Sequence, residues 1–576
     1  MKKELKEIIT KAANDAGFLE LVDFDVDLPP AGQKADFATN IALIIAGEKK
    51  QNPKEIADKI SFELSKSENI KEARSAGPGF INIVLHDHTY YDRLEKLLSE
   101  KDNFGKSNVG QRKTASIDFV SANPTGPLHI GNARGGPIGE TISNLLEFCG
   151  YKVIREFYLN DVGLQVTRLG ESIYWWVEKE NGNESAFPEN GYPGEYVNEV
   201  AEKILSQHKE KIDAFKDKKE AVDFLKNQGL TILIEQMKED IKLLGLKFDK
   251  WVSEAELQRQ GLAKKSVERL KEAGVTANRE GALWFINPAD SKFEDKESVL
   301  QKSDEDSTFT YFTDDIAYHM KRYDEGIDLI VDVWGANHHG HISRMYSALK
   351  ALGISEEKLK IYLYQYIRLK NGEEIMKMSK RFGNFITLRQ VIKGGVSADA
   401  FKYFILAQNP NTPFDFDIKL ATEKSEKNPV FYIQYAHARI YSILRKASIC
   451  HSDPPSGGEE SQSDPSAKPQ DDSPEGEIDF QNANLSILKN EKELALVKAL
   501  AMWPDIVEDT LKDFQVQMLP HYAYKLASLF HDFYTNCPVL DSNEQTKKAR
   551  LALIYATKIL ISNVLSICGI SAPDKM

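Results

Sequence analysis

A strand-like apolar run, Thr114 to Val120, ends at a turn marked by Pro124, Gly126 and Pro127, and a helical pattern starts at His129. Strand, turn and helix in that order are how an open α/β sheet presents an anion site at the carboxyl edge of a strand. The free N–H groups and positive dipole end of the helix favour a polyphosphate there. Further strand-like runs at 152–159, 327–333 and 361–367 alternate with helical patterns. Residues 113–397 are therefore expected to form an α/β layer structure around a parallel sheet.

The 576 residues exceed what one core holds, since single cores stop growing near roughly 250–300 residues, so several domains are expected. Residues 1–112 read as an α+β unit. It has a helix-like start, a Pro-Pro-Ala-Gly-Gln loop after Leu28, and a strand in which Ile81, Ile83 and Leu85 face one side and Asn82 the other. Residues 195–275, rich in Lys, Glu and Leu at helical spacing, read as a mostly helical insertion, and 398–576 as helical nearly throughout. Within that last unit 452–477 is full of Ser, Pro, Gly and acids, with only Lys468 basic, and is expected to be a disordered surface loop.

No run of about 18 apolar residues exists, which argues against a membrane span. Met1 to Lys6 lacks a following apolar region and a cleavage site. Cys149, Cys450, Cys537 and Cys568 are dispersed without a C-x-x-C pair, which suggests reduced thiols, a cytoplasmic protein and no zinc ribbon. A net charge of −13 suits a nucleic-acid binder only if basic residues cluster locally, and Lys216–Lys226, Lys264–Lys271 and Lys547–Arg550 are candidates.

The turn reads Ser121-Ala-Asn-Pro-Thr-Gly-Pro-Leu-His-Ile-Gly-Asn-Ala-Arg134, and much later comes Ile367-Arg-Leu-Lys-Asn-Gly-Glu-Glu-Ile-Met-Lys-Met-Ser-Lys-Arg381, a hairpin pattern feeding a mobile basic loop. An isolated histidine at a helix start more often caps or packs, and a short lysine run is usually a solvated face. Together, in this order, the two segments resemble the HIGH and KMSKS motifs of class I aminoacyl-tRNA synthetases. The resemblance implies a Rossmann-type catalytic domain and ATP as substrate, bound by Pro124, His129, Gly131, Asn132, Trp334, Gly335, Met378, Ser379 and Lys380. His129, Asn132, Lys377 and Lys380 would stabilise charge in the transition state, with Gly131 allowing close approach of the nucleotide base. Asn132 stands where the family has a second His; it keeps a donor but carries no positive charge.

The wider chain is similar to arginyl-tRNA synthetases. The similarity lies in Tyr158-Leu-Asn-Asp-Val-Gly-Leu-Gln-Val-Thr-Arg-Leu-Gly170, Gly194-Glu-Tyr196 and Asp249-Lys-Trp-Val-Ser-Glu254. It continues in Tyr311-Phe-Thr-Asp-Asp-Ile-Ala-Tyr318, Trp334-Gly-Ala-Asn-His-His-Gly340, Asn428-Pro-Val-Phe-Tyr-Ile-Gln-Tyr-Ala-His-Ala-Arg439 and Gly569 to Met576. A guanidinium-selecting pocket needs carboxylates in its plane. Asp118, Asp161 and Asp315 lie in segments that the fold would bring to the catalytic edge. The resemblance places Asp118, Asn123, Tyr311, Asp315 and Asn337 around L-arginine; position 337 is more often Asp in the family. His338, His339 and His341 allow a metal reading, but no further ligand has suitable spacing, and they better suit pocket walls. Mg²⁺ is expected to enter through ATP phosphates and water, with no protein-ligated metal.

Tyr432, Tyr435 and Arg439 share a helical stripe that equally suits core packing or stacking on splayed bases. Resemblance to helical anticodon-binding domains favours stacking, with Met576 beside it, and resemblance also makes 1–112 a tRNA-elbow-binding domain. The expected activity is arginine–tRNA ligase, in a monomer. The alternative is a catalytically weak paralogue that carries tRNA, supported only by Asn132.

Overall fold

The computed structural model describes residues 1–18, 22–30, 32–183, 185–287, 297–304, 308–375, 386–449 and 482–576. The expected acidic loop 452–477 and the basic segment from Lys377 to Arg381 lie outside the described residues.

Strands β1 (Val26–Asp27), β2 (Phe37–Thr39), β3 (Ile70–Ala76) and β4 (Phe80–Leu85) form an antiparallel sheet in the order β1-β2-β4-β3. Ile81, Ile83 and Leu85 are buried as the alternation predicts. Asn82, expected on the outer side, is buried too, because the loop before β2 folds over it and its amide donates to Gln33 Oε1 at 2.7 Å.

The central sheet is wholly parallel. Its strands are β5 (Thr114–Asp118), β6 (Lys152–Leu159), β7 (Lys250–Ser253) and, beyond a small antiparallel sheet of β8 (Thr276–Arg279), β9 (Ala282–Phe285) and β10 (Ser298–Gln301), β11 (Leu329–Gly335) and β12 (Leu359–Tyr364). The order is β12-β11-β5-β6-β7. The chain first builds outward from β5 through β6 and β7, then crosses back to place β11 on the other side of β5. That reversal opens a crevice beyond the carboxyl ends of β5 and β11, where open α/β sheets take their ligands. The helix Gly135–Phe148 lies tight on the sheet: a Cβ on Gly139 would come within 2.1 Å of the Phe119 ring, so no side chain fits there.

Two further expectations are corrected. The run 361–367 is divided, because β12 ends at Tyr364 and Ile367 opens β13 (Ile367–Asn371) in another sheet. There β13 pairs with β14 (Glu374–Ile375) and, in parallel, with β15 (Phe414–Asp417), a strand in the stretch expected to be helical. The alternating Phe-Asp-Phe-Asp of β15 buries Phe414 and Phe416, which is a strand signal. Within 195–275, the helices Glu195–Asp213 and Lys218–Leu243 pack with Leu164–Glu180 around Val200, Ile204, Leu225 and Leu233, but the chain then returns to supply β7.

The last part packs helices Pro429–Ile449, Glu491–Ala501, Met518–Asn536 and Glu544–Ile567 together. The last of these is apolar and long enough to cross a membrane by composition, yet 78% of its most apolar window is buried here as core. The first and last parts are tied by Trp503 Nε1 donating to the Phe104 carbonyl at 3.0 Å and by the Lys498–Asp36 ion pair at 2.7 Å.

Candidate active site

β5 ends in a sharp, strained turn. Val120 and Ser121 have φ of 69° and 36°, in the left-handed region that a β-branched residue such as Val120 rarely enters. Ser121 Oγ donates to Asp118 Oδ1 at 2.6 Å and accepts from the Tyr158 N–H at 3.0 Å, which holds the turn over the strand ends. The turn presents Ser121, Asn123 and Asn132 to two adjoining cavities.

The first cavity, of about 410 Å³, is acidic. Strand register explains why. Asp118 on β5 is opposite Glu156 on β6 and Asp332 on β11, so three carboxyls lie side by side at the crevice. Like charges directly opposite one another are destabilising, and here they are buried as well. Arg322 Nη2 donates to Asp332 Oδ1 at 2.8 Å, and His319 Nε2 lies 2.6 Å from Asp332 Oδ2. Burial works against the Asp332 charge, but Arg322 and His319 outweigh it and hold this carboxyl at about 2. Tyr318 donates to Glu156 at 2.7 Å.

These partners do not satisfy the acids facing the cavity. Burial, then Asp332, pushes the Asp118 carboxyl up to about 7. Burial, then Asp314, Asp332 and Asp118, pushes Asp315 up to about 8. Burial and the neighbouring Asp314 do the same to Glu254, to about 8. The cavity is thus a cluster of carboxyls short of positive charge, which a cationic ligand would supply. Tyr311, Asn123, Trp334, Gly335, Asn337, His338 and His341 complete the wall.

The second cavity, of about 470 Å³, shares Ser121, Asn123, Asn132, Gln165, Asn337 and His338 with the first and adds His129 and Arg168. His129 is the N-cap of the short helix Ile130–Ala133, and its Nδ1 accepts from the Asn132 N–H at 3.3 Å. In the neutral ring that places the proton on Nε2. Among the described residues no carboxylate lines this cavity, and its donors suit an anion. His129 also forms a β-bridge with Thr387, and the Ile130 N–H donates to the Ile386 carbonyl at 3.4 Å. Ile386 and Thr387, which follow the basic segment in sequence, are therefore tied to the helix start at His129. Lys377, Met378, Ser379 and Lys380 themselves lie outside the described residues.

Not every expected residue faces a cavity. Pro124 is buried beneath the turn. Gly131 lies against its neighbour rather than an open space: a Cβ there would sit 3.2 Å from His129 Nδ1 and Cε1. Asp161 is turned away, accepting from Ser253 Oγ at 2.6 Å and the Ala255 N–H at 2.9 Å, so it supports the β7 end instead of the pocket. His338 and His341 line the acidic cavity, whereas His339 lines neither. Among the described residues no three His, Cys, Asp or Glu side chains are grouped to hold a metal ion. Glu254, His319, Tyr158, Gln165 and Tyr364 line the acidic cavity without having been singled out in the sequence. Tyr158, Gln165 and Glu254 do lie in the segments Tyr158–Gly170 and Asp249–Glu254 that carry the family resemblance.

Family models match along the chain: "Arginyl tRNA synthetase N terminal domain" over 3–85, "tRNA synthetases class I (R), catalytic domain" over 93–411 and "DALR anticodon binding domain" over 433–576. An arginine–tRNA ligase of Caldanaerobacter subterraneus subsp. tengcongensis is 37% identical over 100% of this chain and 99% of its own length. Another, from Heliobacterium modesticaldum, is 38% identical over 96% of this chain and 94% of its own. The chain belongs to the arginyl-tRNA synthetase family. The fold agrees: an arginyl-tRNA synthetase structure from Thermus thermophilus matches over 100% of both chains with a TM-score of 0.76 at 20% identity.

The helical part, which the anticodon binding domain model matches, holds a separate groove. Ile433, Ile440, Ile443 and Leu444 of the helix Pro429–Ile449 are buried, as their spacing predicts. On the other face Tyr435 and Arg439 line a groove of about 400 Å³ with Tyr534, Lys446, Lys575 and Met576. Tyr435 is 39% and Met576 56% exposed, and the Arg439 guanidinium lies 5.3 Å from the Tyr534 ring centroid. Tyr432 is outside the groove; it packs on Tyr524 and His531, with centroids 5.2 and 4.7 Å away. Tyr435 also stacks, on Phe431 and His531 with centroids 6.5 and 6.1 Å away, but keeps an exposed face on the groove.

Proposed function

We infer that this chain is an arginine–tRNA ligase, which joins L-arginine and ATP into arginyl-adenylate and pyrophosphate and then loads arginine onto the terminal ribose of arginine tRNA. The observation that carries the reading is the acidic cavity at the switch point, continuous with the cavity of His129. A guanidinium placed among Asp118, Asp315 and Glu254 supplies the missing positive charge, and each charge-assisted hydrogen bond contributes roughly 1.5–3 kcal/mol. A neutral side chain leaves those acids unpaired and is rejected.

In this reading Tyr311 walls the aliphatic stem, and Asn123 and Asn337 hold polar groups of arginine. ATP occupies the neighbouring cavity with its phosphates toward His129 Nε2, Asn132 and the start of the Ile130–Ala133 helix, while Trp334 and Gly335, expected to bind it, line the adjoining acidic cavity. Mg²⁺ would enter with ATP, held by phosphate oxygens and water. The arginine carboxylate attacks the α-phosphorus and pyrophosphate leaves. No side chain becomes covalently bound: His129, Asn132, Lys377 and Lys380 stabilise the charge that builds on the phosphates. Anticodon bases stack at Tyr435 and Arg439 beside Met576, residues 1–112 grip the tRNA elbow, and the protein works as a cytoplasmic monomer.

The test is aminoacylation of total tRNA with labelled arginine and ATP, beside lysine and cysteine controls and a Lys380→Ala variant. Arginine-only charging, slower by about a hundredfold or more in the variant, is expected. Binding of tRNA without charging would refute the ligase reading and leave a tRNA carrier.

A further inference from the structure

We propose that Arg134 is a positioning residue for adenylate formation, a clamp that locks the helix start bearing His129 and Asn132 to the β13–β15 sheet; this rests on the ligase reading above.

Arg134 directly follows the first signature helix and is fully buried, at 0% exposure. Its Nη1 donates to the Gln365 carbonyl, and its Nη2 to the Asn409 carbonyl at 3.3 Å. The guanidinium lies 4.8 Å from the Phe414 ring centroid and 6.0 Å from that of Tyr364. No carboxylate pairs with it among the described residues, and burial pulls its pKa down to about 10. A charge held this way is costly, and Met or Leu would fill the space without that cost. What an apolar side chain lacks is the rigid planar fork, which fixes two acceptors in direction as well as distance.

The acceptors identify what is being fixed. Gln365 sits in the crossing from β12 to β13, and Asn409 in the return to β15. The two passages already pair with each other, the Gln365 N–H donating to the Pro410 carbonyl at 2.8 Å. Tyr364 closes β12 and lines the acidic cavity, and its ring would lie 3.2 Å from a Cβ on Gly135. Phe414 opens β15, the parallel partner of β13. On the far side of the β13–β14 hairpin the chain returns to the same helix start through the His129–Thr387 bridge. One end of this excursion is therefore tied to the first signature by backbone pairing, and the other by a single side chain. If Arg134 slackens its grip, His129 and the strands that lead toward Lys377 and Lys380 lose their common frame.

The test measures arginine-dependent pyrophosphate exchange in the presence of tRNA, arginine affinity and thermal unfolding for Arg134→Lys and Phe414→Leu. Arg134→Lys keeps the charge and removes the fork. Its exchange kcat is expected to fall on the order of ten- to a hundredfold, as a displacement near 1 Å can produce. Arginine affinity should stay within about twofold, since such a displacement leaves uniform binding intact. In a Lys380→Ala background the same substitution should cost less than about threefold, because groups that act through one another are not additive. Phe414→Leu should show a smaller loss in the same parameter, and it decides the matter by the same criteria if Arg134→Lys does not fold. Equal losses in both backgrounds, a loss seen in arginine affinity, or an unchanged kcat would overturn the role of Arg134. A wild-type chain without arginine-dependent exchange would sink the ligase reading, and this proposal with it.

Discussion

Arginine binding should be strongly proton-linked, because the carboxyls that face the cavity titrate near neutral pH. In the empty protein Asp315 and Glu254 are pushed up to about 8 and Asp118 to about 7, by burial first and by one another next. A guanidinium is held by ionised carboxylates, so the binding-competent form is complete above about pH 8 and is lost as pH falls. Displacing one proton from a group titrating near 8 weakens apparent affinity by about fiftyfold between pH 8 and pH 6. Folding linkage has a matching sign. A carboxyl whose folded pKa is raised costs the empty protein stability as pH rises from its unfolded value toward 8, and arginine removes that cost. The upward thermal shift caused by arginine should therefore grow from pH 6 to pH 8. Calorimetry at pH 7 in phosphate and in Tris would read proton release directly, since the two buffers differ in ionisation heat. Asp315→Asn should abolish most of the pH dependence along with most of the affinity. An arginine affinity that is flat between pH 6 and 8, or binding heats identical in both buffers, would refute the unpaired-acid argument.

Three further outcomes follow from the same geometry. Arg322→Met leaves the buried Asp332 with His319 alone and removes a buried cation that interacts with Asp118 and Glu156, and urea unfolding should show a loss of about 3–5 kcal/mol. Tyr435→Ala and Arg439→Ala should each raise the KM for tRNA, by about 1–3 kcal/mol of lost stacking, with arginine-binding unchanged, whereas Tyr432→Ala should act mainly on stability. Asn132→His should raise the exchange rate by about two- to fivefold as a donor able to carry positive charge faces the phosphates; a large rise from no activity would favour the carrier alternative.

Much of this protein could be read from local pattern. The strand at 114–120, the turn through Pro124 and the helix from His129 rest on side-chain alternation, turn residues and helix periodicity, and these act over a few neighbouring residues. The acid of Asp118 stood out because a carboxyl inside an apolar strand has no cheap burial. What pattern could not supply was pairing. β11 returns to the other side of β5, and its register sets Asp332 against Asp118, with Glu156 opposite on β6. That row makes Arg322 and His319 necessary, and burial beside Asp314 adds Asp315 and Glu254 to the acids short of a cation. The same limit explains Asp161, Tyr432 and Arg134. Whether a polar or aromatic side chain faces a cavity, a neighbouring ring or a distant carbonyl depends on contacts between segments far apart in the chain. Residue type and spacing determined which chemistry was present; long-range packing decided which groups share a site and which charges remain unpaired.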